Sequence, residues 1–94
     1  MPTLERMNDL PDRIQYLRAC PDAPPAYADI ARAARISPSA VAQAATGVRK
    51  APTMRTLQSI ARAFRAPLDW VATGTGPRPS RSLVRAAVAT WGAA

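Results

Sequence analysis

The stretch ARAARISPSAVAQAATG, residues 31–47, decides how this chain folds. Its clearest local signal is Ser37-Pro38. A serine side chain accepts a hydrogen bond from an otherwise unpaired backbone N–H in the first turn of a helix. Proline at the first helical position presets φ and gives up only an N–H that has no partner there. The pair predicts a helix from Pro38 to about Ala45, and Gly47 supplies its stop. Upstream, a helix over about 26–34 turns Ile30, Ala31 and Ala34 inward and Asp29, Arg32 and Arg35 outward. Ala31 falls where the two helices cross, a place that admits only a small side chain. Ile36 and Val41 anchor the turn and the second helix, and Ala44 is the next inward position.

The rest of the chain continues the helical pattern. A first helix runs from residue 10 or 11 to 19, with Pro11 in its first turn and Ile14, Leu17 and Leu10 on one face. The connection CPDAPP at 20–25 is rich in breakers. Thr53 caps a fourth helix ending near residue 64, with Met54, Leu57, Ile60, Ala61 and Phe64 at helical spacing. Pro67 opens a fifth over 68–72, stopped by Thr73-Gly74. After the linker GPRP at 76–79, residues 80–91 predict one more helix, with Leu83, Val84, Ala87, Val88 and Trp91 on one side. Phe64 and Trp70 are read as core.

Composition agrees. A chain of 94 residues suits one domain that buries only about 60–65% of its unfolded surface. The apolar fraction is 48% but aromatics are only 5%, so the core must rest on close helix–helix contact through alanine. No alternating β-branched run and no hairpin turn signal occurs. The fold expected is all-α, a bundle of about five short helices plus a C-terminal helix. Residues 1–9 read as an arm, 10–76 as the domain and 77–94 as a tail.

Several chemistries find no residues to carry them. There is no histidine and a single cysteine, Cys20, so neither a zinc site, a histidine-based triad nor an intramolecular disulfide can be built. Five of the six acidic residues lie within the first 29 positions, with no spacing that suggests a carboxylate pair. Gly74-Thr75-Gly76 is too short for a phosphate-cradling loop. The chain reads as neither an enzyme nor a cofactor protein. No apolar run nears the roughly 18 residues of a membrane span, and MPTLERMNDLPD lacks a secretory layout. A cytoplasmic setting is expected.

Net charge is +7, distributed as −2 over residues 1–29 and +9 over residues 30–94. Nearly all the cations are arginine, which pairs bidentately with phosphate and guanine. The asymmetry points to a polyanion.

Two short helices joined by a tight turn within a small bundle form a helix-turn-helix, whose second helix enters the DNA major groove. Residues 10–76 resemble the Cro/C1-type (XRE) helix-turn-helix family, which includes phage repressors. The matching phrases are RIQYLRA (13–19), DIARAARISPSAVAQAATG (29–47), APTMRTLQSIARAF (51–64) and APLDWVATGTGP (66–77). The resemblance implies a lambda-repressor-like bundle that binds a double-stranded DNA operator, as a homodimer at least when on DNA. A bacterial host, with the protein on its nucleoid, and no small-molecule ligand or membrane partner are implied with it. Three departures stand out. Arg35 occupies a turn position where the family has glycine, Tyr27 stands where a phosphate-clamping glutamine is common, and Ala44 and Ala45 replace larger residues.

On such a reading helix, the outward face near the N-terminus carries Ser39, Ala42 and Gln43. Gln43 can pair with adenine, Ser39 can donate or accept, and Ala42 can touch a thymine methyl. Backbone contacts are expected from Tyr27, Arg35, Pro38, Thr46, Arg49, Lys50 and Arg55, with Arg32 nearby and the N–H groups opening the fourth helix adding an anion site. Arg62 and Arg65 read as a solvated face. The tail helix would fold back on the domain or pair with a second copy. The function expected is a Cro-like phage or prophage repressor that occludes a promoter. Alternatives are an antitoxin or restriction-modification controller with the same domain, or an interaction module that has lost DNA reading. A membrane-surface role for SRSLVRAAVATWGAA rests on two arginines and one tryptophan, a thin case.

Overall fold

A computed structural model of the chain describes residues 9–47 and 52–91. Six helices follow in order among the described residues: α1 Leu10–Ala19, α2 Tyr27–Ala34, α3 Pro38–Thr46, α4 Met54–Phe64, α5 Leu68–Thr73 and α6 Arg81–Ala89. There is no strand among the described residues, so the fold is all-α as composition and periodicity imply.

One local device begins three of these helices. Ser37 Oγ accepts from the Ala40 N–H at 3.1 Å, Thr53 Oγ1 from Thr56 N–H at 3.2 Å, and Ser80 Oγ from Leu83 N–H at 3.3 Å. Each satisfies a first-turn donor that the helix cannot, worth about 1 kcal/mol.

The helices enclose one core. Ile14, Leu17, Ile30, Val41, Ile60, Phe64, Val71 and Val84 are wholly buried. Each such side chain contributes about 1.5–3 kcal/mol relative to exposure. Between them Ala31, Ala44, Ala45, Ala61 and Ala87 are buried too, and their small side chains let the backbones approach. α2 packs on α3 and α4, α1 on α3 and α5, and α4 on α5 and α6. The reading helix is therefore held from three sides, by α1, α2 and α4.

The structure corrects two inward assignments. Met54 is 53% exposed and Leu83 is 65% exposed. Met54 shares the angular face of Leu57 and Ile60, but as the first residue of α4 it projects past the rim of the core. Leu83 sits one residue before Val84, and the stripe that α6 turns inward is Val84, Ala87 and Val88, continued past its end by Trp91. The tail folds back on the domain. The Trp91 ring meets Phe64 edge-to-face at 5.0 Å, and its indole N–H donates to the Ala63 carbonyl at 2.9 Å in the last turn of α4.

Arg13 is buried, at 2% exposure, a placement its charge did not suggest. It occupies the core face of α1 between Leu10 and Leu17. From there its guanidinium donates to the Val71 carbonyl at 3.0 Å and the Ala72 carbonyl at 3.2 Å, at the end of α5. Burial lowers its pKa from the ordinary arginine value, and the nearby Asp9 carboxylate opposes the shift.

Candidate nucleic-acid interface

The turn between α2 and α3 is built on Arg35, whose φ of 61° and ψ of 45° are left-handed. Its N–H reaches the Arg32 carbonyl at 3.4 Å, and the Ile36 N–H returns to the Ala31 carbonyl at 3.0 Å. This pair of bonds is the Schellman arrangement, in which glycine is usual at the left-handed residue. Ile36 closes it by packing on the core. α4 ends in the same way. Arg65 has φ 55°, its N–H bonds the Arg62 carbonyl, and Ala66 N–H returns to Ala61 at 2.9 Å. Sequence reading singled out Arg35 and missed Arg65, though ARIS and FRAP share one pattern of arginine followed by a small loop.

α3 divides cleanly by burial. Val41, Ala44 and Ala45 face the core, while Pro38, Ser39, Gln43 and Thr46 are exposed and Ala42 is half-buried. Ser39, Ala42 and Gln43 thus stand on the side of α3 turned from the core. Thr46 differs. Its hydroxyl donates to the Ala42 carbonyl at 2.7 Å, so its proton is spent within the helix. Only its oxygen lone pairs remain, and these cannot donate to phosphate. Pro38 has no N–H to offer.

Tyr27 opens α2 half-buried. Its hydroxyl accepts from Gln15 Nε2 at 3.2 Å, and the Arg18 guanidinium lies 4.8 Å from its ring centre. Arg18 also donates to Gln15 Oε1 at 2.9 Å and to the Pro25 carbonyl at 2.9 Å. This Gln15–Arg18–Tyr27 cluster holds the N-terminus of α2, and the Tyr27 proton stays available to a phosphate. Gln15 and Arg18 were not foreseen; their spacing of three residues on one helix face was the signal.

Arg55 is exposed in the first turn of α4. Thr53 takes the Thr56 amide there, so the amides of Met54 and Arg55 are what that helix end offers an anion. Asp29 holds Arg32 at 2.9 Å and accepts the Ala26 N–H at 3.1 Å, which partly neutralises Arg32. Arg49 and Lys50 lie outside the described residues.

A scan against family models matches residues 27–71 to the family described as Helix-turn-helix. Residues 27–71 match a helix-turn-helix of the Cro/C1 type. The match opens at Tyr27 and closes at Val71, taking in the turn at Arg35, all of α3 and the caps of α4. No curated protein and no solved structure matches the chain. A helix-turn-helix over residues 27–71 implies a double-stranded DNA partner and points to a DNA-binding regulator. Among the described residues no group of His, Cys, Asp or Glu could hold a metal ion, and no helix is long and apolar enough to cross a membrane.

Proposed function

We propose that this helix-turn-helix protein is a small, sequence-specific repressor of the Cro-like kind, from a phage or prophage, that occludes a promoter by binding an operator as a homodimer. One observation carries the reading. The buried residues of α3 are all apolar, and its outward side presents exposed Ser39 and Gln43 with half-buried Ala42 beside them. Gln43 carries most of the direct discrimination, at about 1–3 kcal/mol for a bidentate pair with adenine. Ser39 and the Ala42 methyl refine it. Affinity comes from the phosphate backbone through Arg55, Tyr27 and the loop cations Arg49 and Lys50, with Arg35 beside the turn.

The test is selection from a randomised duplex pool at graded salt. A recovered pseudo-palindrome with half-sites about 10 base pairs apart, and lost selectivity in Gln43→Ala, supports a dimeric repressor. Retention that collapses with salt and enriches no sequence would leave only the phosphate term and overturn the reading.

A further inference from the structure

We propose that the start of the tail helix is a phosphate-binding site, separate from the DNA-reading face and built by Arg78, Arg81 and Arg85. These three guanidiniums line one polar cavity of about 500 Å³ together with Ser80, Ser82 and the ring of Tyr16. Among the described residues no carboxylate lines it. None of its lining residues belongs to α2, α3 or the first turn of α4, so it is not the surface that meets the major groove.

The fold assembles the cations with little compensation. The Tyr16 hydroxyl donates to the Pro79 carbonyl at 2.8 Å, fixing the linker against α1. Over the same tyrosine ring lie the guanidinium carbons of Arg78 at 5.0 Å and Arg81 at 5.9 Å. Two cations held against one ring repel each other. Among the described residues the carboxylate that pairs with them is Asp22, 3.8 Å from Arg85 and 92% exposed, a weak, solvated partner. The first turn of α6 holds no acidic residue. Ser80 Oγ accepts the Leu83 N–H as its cap and keeps its own proton, and it lies 3.5 Å from Ser82 Oγ, so this hydroxyl pair adds donor capacity beside the arginines. Three fork-shaped donors lining one space suit a tetrahedral oxyanion, with several acceptors and more than one negative charge, better than a single carboxylate.

Such a phosphate has two sources, a free phosphate-bearing small molecule or the DNA backbone flanking the operator, and one experiment separates them. The full chain is titrated with inorganic phosphate at constant ionic strength, with chloride as the control, while the arginine Nε–H and backbone amide resonances are followed by NMR. Saturable shifts are expected at Arg78, Arg81 and Arg85 and at the backbone amides of Ser80 and Ser82, and the amide shifts are abolished in the triple variant R78Q/R81Q/R85Q. All three side chains are exposed, so helical circular dichroism of that variant stays unchanged. The titration needs no DNA and stands whether or not the operator reading holds. Repeating it with duplex bound assigns the source. If duplex displaces phosphate and the variant lowers the salt slope by about 2–3, the site grips the backbone. If phosphate still binds and the slope is unchanged, the ligand is a free phosphate compound. Shifts that fail to saturate, that chloride reproduces, or that persist in the variant overturn the proposal.

Discussion

Arg35 and Gly47 bracket the reading helix with the same left-handed backbone, at φ 61° and φ 63°, yet one is arginine and the other glycine. The neighbours of Gly47 explain its identity. A Cβ there would meet Pro11 Cγ at 2.9 Å, closer than real contacts come, and the proline ring cannot swing away. Gly47→Ala is therefore expected to cost about 2 kcal/mol in urea unfolding, more than the left-handed penalty alone. Pro11→Ala in the same chain should restore part of that loss; no recovery would mean that the backbone angle and not the contact sets the cost. Arg35 points its side chain into solvent and gains nothing from the core. Arg35→Gly removes the strain, so stability should rise by about 1 kcal/mol while operator affinity falls if the guanidinium holds phosphate. A drop in stability would show that the arginine side chain stabilises the turn.

Among the elements, α5 shows what a short helix needs from outside itself. Its six residues end with carbonyls that the helix cannot satisfy, and Arg13 of α1 reaches across to two of them. Arg13→Met keeps the bulk and removes both the burial cost of the cation and its bonds. Because the carbonyls then lose a charged donor at a helix C-terminus, the loss should win by about 1–3 kcal/mol. A more stable variant would mean that the desolvation of the guanidinium dominates. The helices were legible in the sequence because their punctuation is local: Ser37-Pro38, Thr53, Pro67 and Ser80 each mark a start by chemistry within one turn. The core stripe of α3 was legible for the same reason. What escaped was what depends on the far side of the contact. Arg13 lies on the apolar spacing of Leu10, Ile14 and Leu17, but the need for a cation there comes from α5, some 58 residues away in sequence. Met54 and Leu83 obey helical spacing yet sit where the core has ended. The Trp91 contact with Ala63 likewise required knowing which way the tail turns. At the interface, the identity of Ser39, Ala42 and Gln43 as outward residues follows from periodicity, whereas the spent proton of Thr46 and the Gln15–Arg18 brace of Tyr27 are visible only in three dimensions.

At the scale of the whole molecule, the absence of histidine and the dominance of arginine place the pH response on the alkaline side. Two groups between α1 and the tail carry it. Burial raises the pKa of the Cys20 thiol, and the Tyr16 hydroxyl with the Arg78, Arg81 and Arg85 cations act to lower it. Burial likewise raises that of the Tyr16 phenol; Cys20 adds to the rise, while Arg78 and Arg81 oppose it. Both groups are neutral when protonated, and the folded chain holds each proton more tightly than the unfolded chain does. Once pH passes the ordinary thiol value of 9.0 and phenol value of 10.0, the unfolded chain binds fewer protons than the folded one. Stability then falls as pH rises, since its slope follows the difference in bound protons between the unfolded and folded states. The contribution is fully present below those values. The phenol matters structurally too, because a phenolate could no longer donate to the Pro79 carbonyl that ties the linker to α1. Thermal melts from pH 7 to 11 should therefore show a decline that begins near pH 9 and steepens past 10. Tyr16→Phe should start from a lower Tm at pH 7, having lost that bond, and descend less steeply above pH 10. Cys20→Ala should remove the earlier part of the descent. If both variants track the parent chain across the whole range, the alkaline loss belongs to general charge effects and not to these two protons.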